Sequence, residues 1–135
     1  MWIATSNSFL SVVENRADKS EFVVRARVRG DLEKFFGEDI KVIETEDSDY
    51  RFRVFVTKEY FTDKMCGYIN SIDYSNFKDS VKSEERKTWY TQIWSIMNNV
   101  QESLYGPQDW MKRYYEQRYK KLFSPSDRAE KDKFH

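Results

Sequence analysis

The segment FVVRARVRG, Phe22 to Gly30, determines how the rest of the chain is interpreted. Successive side chains of a β-strand point to opposite faces, so every second residue shares a face. One face would then carry the apolar residues Phe22, Val24, Ala26 and Val28, and the other the arginines Arg25, Arg27 and Arg29. The segment therefore predicts a strand with one buried side and one cationic side.

A second segment, YRFRVFVT from Tyr50 to Thr57, repeats this alternation. It predicts a strand with Phe52, Val54 and Val56 facing inward, and with Arg51 and Arg53 facing outward beside Phe55. If the two strands are neighbours, five guanidiniums gather on one face, closer together than the ~8 Å over which physiological salt screens charge. We therefore expect an anionic group at this face.

The remaining pattern predicts further strands at Trp2–Thr5, Phe9–Glu14 and Ile40–Glu44, and a short helix with Asp31 as its N-cap. A helix capped by Thr57 follows, and then a long helix from Ser83. The apolar stripe of that long helix is typical of a face packed on a core; it comprises Trp89, Tyr90, Ile93, Trp94, Ile96, Met97, Val100 and Leu104. Gly106 and Pro107 end it, and a last helix runs to about Phe123.

This order of elements predicts an α+β fold: an antiparallel sheet of about four to five strands, with helices packed on one face and a C-terminal helical extension. We place a core domain at residues 1–105 and a C-terminal helix with a mobile tail at residues 106–135. Cys66, beside Met65 on an apolar helix, is expected to pack in the core.

Composition narrows the classes of protein to be considered. The 23 basic and 23 acidic residues cancel, so attraction to nucleic acid has to come from charge segregated on one surface. Cys66 is the only cysteine, which excludes an intramolecular disulfide and favours a reducing compartment, the cytoplasm. The pattern predicts neither a signal peptide nor a membrane span of ~20 apolar residues, so we expect no membrane partner.

The arginine-rich face has three alternative explanations. The protein itself could neutralise it, through Glu21, Glu44, Glu46, Asp47 and Asp49. Alternatively, the face binds an acidic surface of another protein. Our leading interpretation is a non-enzymatic protein that binds a phosphate-bearing ligand, a nucleotide or RNA. Its predicted site comprises Arg25, Arg27, Arg51 and Arg53 for phosphate, Tyr50 and Phe55 for stacking, and Asn76 and Lys78 closing from a loop.

The sequence offers little for catalysis, and we assign no catalytic residue, metal or cofactor. The acidic stretch TEDSDY lacks the glycine of a calcium loop, and the only histidine is the terminal His135. A small metal-dependent nuclease or phosphoesterase using Asp31, Asp49 or Asp79 remains a third alternative.

The segment MKRYYEQRYKKLF, Met111 to Phe123, interleaves basic residues with tyrosines and carries the alternative of a protein–protein inhibitor or adaptor. In that alternative an acidic surface of a host protein contacts Trp110, Arg113, Tyr114, Tyr115 and Arg118. Exposed aromatic residues on a chain of zero net charge also allow a homo-oligomer.

Six motifs taken together, MWIAT, SFLSVV, VRARVRGD, DSDYRFRVFV, IDYSNFKDSV and WSIM, resemble a family of short bacterial and phage proteins. The resemblance covers residues 1–97 and implies no reaction, cofactor or fold. It points to shared polar positions: Arg25, Arg27, Gly30, Asp31, Asp49, Tyr50, Arg53, Tyr74, Asn76, Lys78 and Ser80. The occurrence of such proteins in phages implies an anti-defence role against the host.

Overall fold

The computed structural model describes residues 1–122, and the predicted mobile tail beyond them lies outside the described residues. The strands are β1 (Trp2–Ala4), β2 (Phe9–Glu14), β3 (Glu21–Ala26), β4 (Ile43–Glu44) and β5 (Phe52–Thr57). The helices are α1 (Asp31–Phe36), α2 (Lys58–Asn70), α3 (Phe77–Ser80), α4 (Glu84–Tyr105) and α5 (Asp109–Leu122). The strands form one antiparallel sheet in the order β1-β2-β3-β5-β4, which confirms the α+β prediction.

The chain divides into two compact units, Met1–Tyr90 and Thr91–His135. The first contains the whole sheet with α1, α2 and α3, and the second contains most of α4 together with α5. The domain boundary placed after residue 105 stays a prediction.

The hydrophobic core lies on one face of the sheet. Leu10, Val24 and Val54 are completely or almost completely buried there, as the alternating pattern predicts. Helices α1 and α2 cover this face through Phe35 and Phe61, whose ring centroids are 5.9 Å apart. Each large side chain buried in this way contributes roughly 1.5–3 kcal/mol to folding.

Local capping explains where the helices begin and end. The Thr57 hydroxyl accepts the Tyr60 N–H at 3.1 Å, which confirms the predicted start of α2. Gly106 ends α4 with a φ of 79°, as predicted for a residue in the left-handed region. The predicted N-cap of α1 is wrong: Gly30, with a φ of 89°, occupies that position, and Asp31 is the first helical residue.

Several other expectations are corrected. The strand predicted from Phe22 to Val28 ends at Ala26, and the strand predicted over Ile40–Glu44 is reduced to two residues. Cys66 is exposed and so does not pack in the core. The apolar stripe of α4 is buried only at Tyr90, while the residues from Ile93 onward are exposed. Helical spacing correctly identified the stripe but not whether the protein itself covers it.

Candidate functional site on the outer sheet face

The face of the sheet opposite the core, called the outer face below, is organised in rows that cross the strands. The first row runs Trp2, Ser11, Arg25, Arg53 and Ile43 over all five strands. The second row runs Val13, Val23 and Phe55 over three strands. Strands β3 and β5 are therefore neighbours, which meets the condition set in the sequence analysis, and their register sets Arg25 directly opposite Arg53.

Three of the five arginines are neutralised by the protein's own carboxylates. Arg27 contacts Asp49 at 3.2 Å, and both Arg29 (2.9 Å) and Arg51 (2.8 Å) contact Glu44. Arg51 also reaches Glu46 at 3.4 Å. These pairs are exposed to solvent, where such contacts contribute little to stability. Pairing within the protein thus accounts for the charges of Arg29 and Arg51, because both guanidiniums contact the Glu44 carboxylate.

The charges of this cluster affect the protonation of Glu44. Hydrogen bonds from Arg51 and then Arg29 hold the pKa of the Glu44 carboxyl below its ordinary value. The same bond with Glu44 raises the pKa of the Arg51 guanidinium. Of the other expected carboxylates, Glu21 accepts a bond from the amide of Asn15 at 3.0 Å instead.

The five guanidiniums do not gather on one face. Because β3 ends at Ala26, the alternation that would keep Arg29 beside Arg25 is lost. The Arg29 guanidinium lies 5.0 Å from the ring centroid of Phe52, which is a core residue. Only Arg25 and Arg53 occupy paired positions on the outer face, with Arg27 just beyond the strand end.

Within the described residues, no carboxylate lies within ion-pair distance of Arg25 or Arg53. The Arg25 Nη2 donates to the Ser11 hydroxyl at 2.9 Å, and the Arg53 Nη2 donates to the Ser48 hydroxyl and to the Tyr50 carbonyl at 3.2 Å. Like charges directly opposite each other on a strand pair destabilise it. The pair is therefore a concentration of positive charge that the folded chain leaves uncompensated between residues 1 and 122.

The hydrogen-bonding capacity of these two guanidiniums is also unfilled. Both Nε atoms are buried without a partner among residues 1–122. An unpartnered buried donor costs about 1–3 kcal/mol, more for a charged group. Among the same residues neither Nη1 makes a hydrogen bond, so the Nη1 groups are the donors left for a ligand.

Tyr50 holds the neighbouring arginines in place. Its buried ring has the Arg25 Cζ at 4.5 Å and the Arg27 Cζ at 3.9 Å from its centroid, within the range of cation–π attraction. Burial alone would raise the pKa of the Tyr50 phenol, but hydrogen bonds with Ser11 and Arg27 outweigh it and hold the pKa below its ordinary value. The ring face expected to stack on a base is thus occupied by the protein's own arginines.

Phe55 differs from Tyr50 because its ring is 45% exposed on the second row of the outer face. It offers a ligand the aromatic surface that Tyr50 does not.

Of the two predicted loop residues, Asn76 lines a surface to which none of the arginines contributes. The Asn76 amide oxygen accepts the Lys78 backbone N–H at 3.0 Å and so caps α3. Asn76 also lines a cleft of about 590 Å³ between the turn after β1 and the end of α2, and none of the arginines contributes to that lining. Phe77 docks the segment by stacking on Tyr90, with ring centroids 5.6 Å apart.

A buried charged network was missed by sequence reasoning. Asp31 is fully buried, and its carboxylate accepts a hydrogen bond from the Arg86 Nη1 at 3.1 Å and from the Phe9 N–H at 2.9 Å. Arg86 also donates to the Tyr90 hydroxyl at 3.3 Å, and that hydroxyl donates to the Ser8 carbonyl at 2.8 Å. Fifty-five residues separate Asp31 from Arg86, so no local pattern pairs them.

This network also determines the protonation of its members. Burial disfavours the charged Arg86, but the bond with Asp31 outweighs it, so the pKa of the guanidinium lies above its ordinary value. Burial raises the pKa of the Tyr90 phenol. Asp31 is enclosed and ion-paired, which argues against a catalytic role for it. Across residues 1–122, no three acidic, histidine or cysteine side chains lie together where they could hold a metal ion.

The predicted partner-binding residues all lie on α5 in the second unit. Trp110, Tyr114 and Tyr115 are each about half exposed. The rings of Tyr114 and Tyr115 meet edge to face at 5.6 Å, and the Arg118 Nη1 donates to the Tyr114 hydroxyl at 3.1 Å. Arg113 is exposed on the same helix.

Comparisons with protein-family models, with curated proteins and with solved structures find no significant match to this chain. In the part of the chain that the structure describes, every helix is too short or too polar to cross a membrane.

Proposed function

We propose that the protein is a non-enzymatic binding protein that holds a phosphate-bearing ligand, a nucleotide or RNA, at Arg25 and Arg53 on the outer face. The observation that carries this proposal is the cross-strand pair itself. Two guanidiniums are fixed directly opposite each other and lack a carboxylate among the described residues. A phosphate group would supply the missing negative charge and accept the free N–H groups.

The geometry suits one phosphate shared by both side chains. Residues directly opposite on antiparallel strands have Cβ atoms ~4.5–5.5 Å apart, so both guanidiniums reach the same phosphate. Arg27 is the natural third contact, because its partner Asp49 is 77% exposed and that pair is easily exchanged for a ligand. Phe55 would stack on a base, and Tyr50 would keep Arg25 and Arg27 oriented. Arg51 is excluded by its bonds to Glu44 and Glu46.

The proposed cellular location and biological role rest on two further observations. The lone cysteine, which is exposed, favours a cytoplasmic location. Together with the resemblance to phage proteins, a cytoplasmic nucleotide- or RNA-binding protein suggests an anti-defence role in which the ligand is sequestered.

Fluorescence anisotropy with a labelled single-stranded RNA, in competition with ATP and inorganic phosphate, tests the proposal. Losing two charged hydrogen-bond donors, at about 1.5–3 kcal/mol each, should weaken binding by more than about a hundredfold in Arg25→Gln/Arg53→Gln. The matched control, Arg29→Gln/Arg51→Gln, removes the same charge from arginines that are already paired, and we expect less than about a threefold change. Equal losses in both variants would show only non-specific attraction and would contradict the site.

A second candidate, binding to an acidic protein surface, is favoured by the apolar neighbours of the arginines. Val13, Ile43 and Phe55 are each exposed by more than a third on the outer face. Arginines interleaved with exposed apolar side chains are typical of protein interfaces. This alternative predicts that Phe55→Ala and Trp110→Ala weaken capture of an acidic partner, while nucleotides and RNA fail to bind or compete.

A further inference from the structure

The second half of α4 is chemically unlike a helix that faces water. From Thr91 to Tyr105 the sequence TQIWSIMNNVQESLY contains a single charged residue, Glu102. Large apolar side chains in this stretch are nevertheless between 44% and 83% exposed; they are Ile93, Trp94, Ile96, Met97, Val100, Leu104 and Tyr105. Monomeric proteins rarely leave a contiguous apolar patch of this extent open to solvent. Something should cover it in solution.

The spacing of these residues indicates another helix as the cover. Ile93, Met97, Val100 and Leu104, called the apolar seam below, follow one another at alternating intervals of four and three residues. This interval keeps one side of a helix facing a partner helix, as in coiled coils. Ile96 and Trp94 flank the seam and widen it.

The extent of the surface matches a stable dimer. With about 200 Å² for a large side chain, the exposed fractions of the seam and its two flanking residues correspond to on the order of 650 Å² of apolar area per chain. Two such faces would bury about 1,300 Å², which lies at the lower end of the ~1,200–2,000 Å² range of stable, specific protein–protein interfaces. The second half of α4 is thus large enough for a specific contact.

The charge pattern favours a second copy of the same helix as the partner that covers the seam. In a two-fold symmetric contact the same patch of each copy faces the other, so charges of one sign on that patch would repel. The seam contains no charged residue. Glu102 lies nine residues after Ile93, which places it on the opposite side of the helix, and its carboxylate accepts a hydrogen bond from the Asn98 amide at 2.9 Å. Helix α5 is unsuited to self-contact because its five basic residues outnumber its two acidic residues; they are Lys112, Arg113, Arg118, Lys120 and Lys121 against Asp109 and Glu116.

We propose that the protein forms a homodimer in which the apolar seam of α4 packs against the same seam of a second copy. The seam shares no residue with the arginine pair. Evidence against the proposed ligand would therefore not contradict the dimer, and evidence against the dimer would not contradict the ligand.

Sedimentation equilibrium from about 1 to 100 μM tests the dimer, since interfaces of this size range from micromolar to tighter affinity. We expect twice the chain mass for the wild-type protein and the monomer mass for Met97→Lys/Val100→Lys. Both positions are exposed, so the monomer should stay folded, and an unchanged circular dichroism spectrum verifies this. The control Ser95→Lys adds a charge to the opposite side of the same helix and should remain dimeric.

A charge-swap mixture identifies the partner surface. Mixing Met97→Lys/Val100→Lys with Met97→Glu/Val100→Glu should restore the dimer mass, because opposite charges then meet across the seam. A wild-type monomer at every concentration would overturn the proposal, as would a dimer that survives the lysine substitutions. A mixture that stays monomeric would show that the seam does not face itself, and would overturn it equally.

Discussion

The buried ion pair between Asp31 and Arg86 gives the sharpest prediction about the fold. Asp31 has no exposed surface and Arg86 is 4% exposed, so water cannot replace a lost partner. Asp31→Asn keeps an acceptor for the Phe9 N–H but removes the charge that compensates Arg86. Breaking a buried pair by removing one partner costs about 3–5 kcal/mol. For a unit of about 90–100 residues this corresponds to a fall in Tm of more than about 12 °C.

A variant in which both residues are replaced distinguishes the net stabilisation by the ion pair from the energetic cost of leaving one buried charge without its partner. Replacing both residues with apolar or neutral groups of similar size is often nearly neutral. The free energy of unfolding of Asp31→Asn/Arg86→Met should therefore be at least about 1 kcal/mol higher than that of Asp31→Asn. Adding Arg86→Met completes a double-mutant cycle, which measures the coupling between the two residues.

Guanidinium denaturation followed by far-ultraviolet circular dichroism measures these differences. The exposed pair of Lys58 and Glu14, 2.8 Å apart, is a matched control whose disruption should change the free energy of unfolding by less than about 1 kcal/mol. A loss below about 1 kcal/mol for Asp31→Asn, or strictly additive effects in the cycle, would refute the reasoning that the pair is enclosed and mutually dependent.

Three further predictions concern single residues. Gly30→Ala should destabilise the protein by about 1 kcal/mol in the same assay, because a φ of 89° strains any side chain even though nothing lies within 4 Å of the added Cβ; an unchanged stability would show that the turn relaxes. By NMR, Glu44 should titrate below an ordinary glutamate, so its stabilising contribution is present above its unfolded-state pKa and is lost as pH falls through its folded-state pKa. Arg51→Gln should move that pKa upward, and no movement would exclude the bond as the cause. In a tyrosine titration, Tyr50 should ionise at lower pH than Tyr90, and the reverse order would contradict the assigned surroundings.

Most of the sheet could be predicted because its determinants are local. Alternating side chains indicated which faces of β3 and β5 are buried, and the local pattern also predicted β1 and β2, which pair with each other. Thr57 and Gly106 act on neighbouring backbone groups, so their capping positions could also be identified from sequence. The sequence left open whether β3 and β5 are neighbours, and the observed register shows that they are.

The site was harder to predict because its details depend on distant residues. Which arginines are neutralised depends on the turn that brings Glu44 and Asp49 to them, and strand alternation alone does not specify that turn. The same alternation wrongly predicted that Arg29 lies on the outer face, because β3 ends before that residue. The pairing of Asp31 with Arg86 has no local signal at all. For α4, apolar spacing indicates a face that needs covering but does not say by which molecule.

Native mass spectrometry of the protein as purified, beside Arg25→Gln/Arg53→Gln, tests the central claim most directly. The account predicts an added mass of a nucleotide or oligonucleotide on the wild-type protein, or its uptake when ATP or a short RNA is supplied. That added mass should disappear from the variant and persist in Arg29→Gln/Arg51→Gln. A bare polypeptide mass under all of these conditions, from a wild-type protein that is folded, would contradict the claim that the arginine pair is a phosphate site.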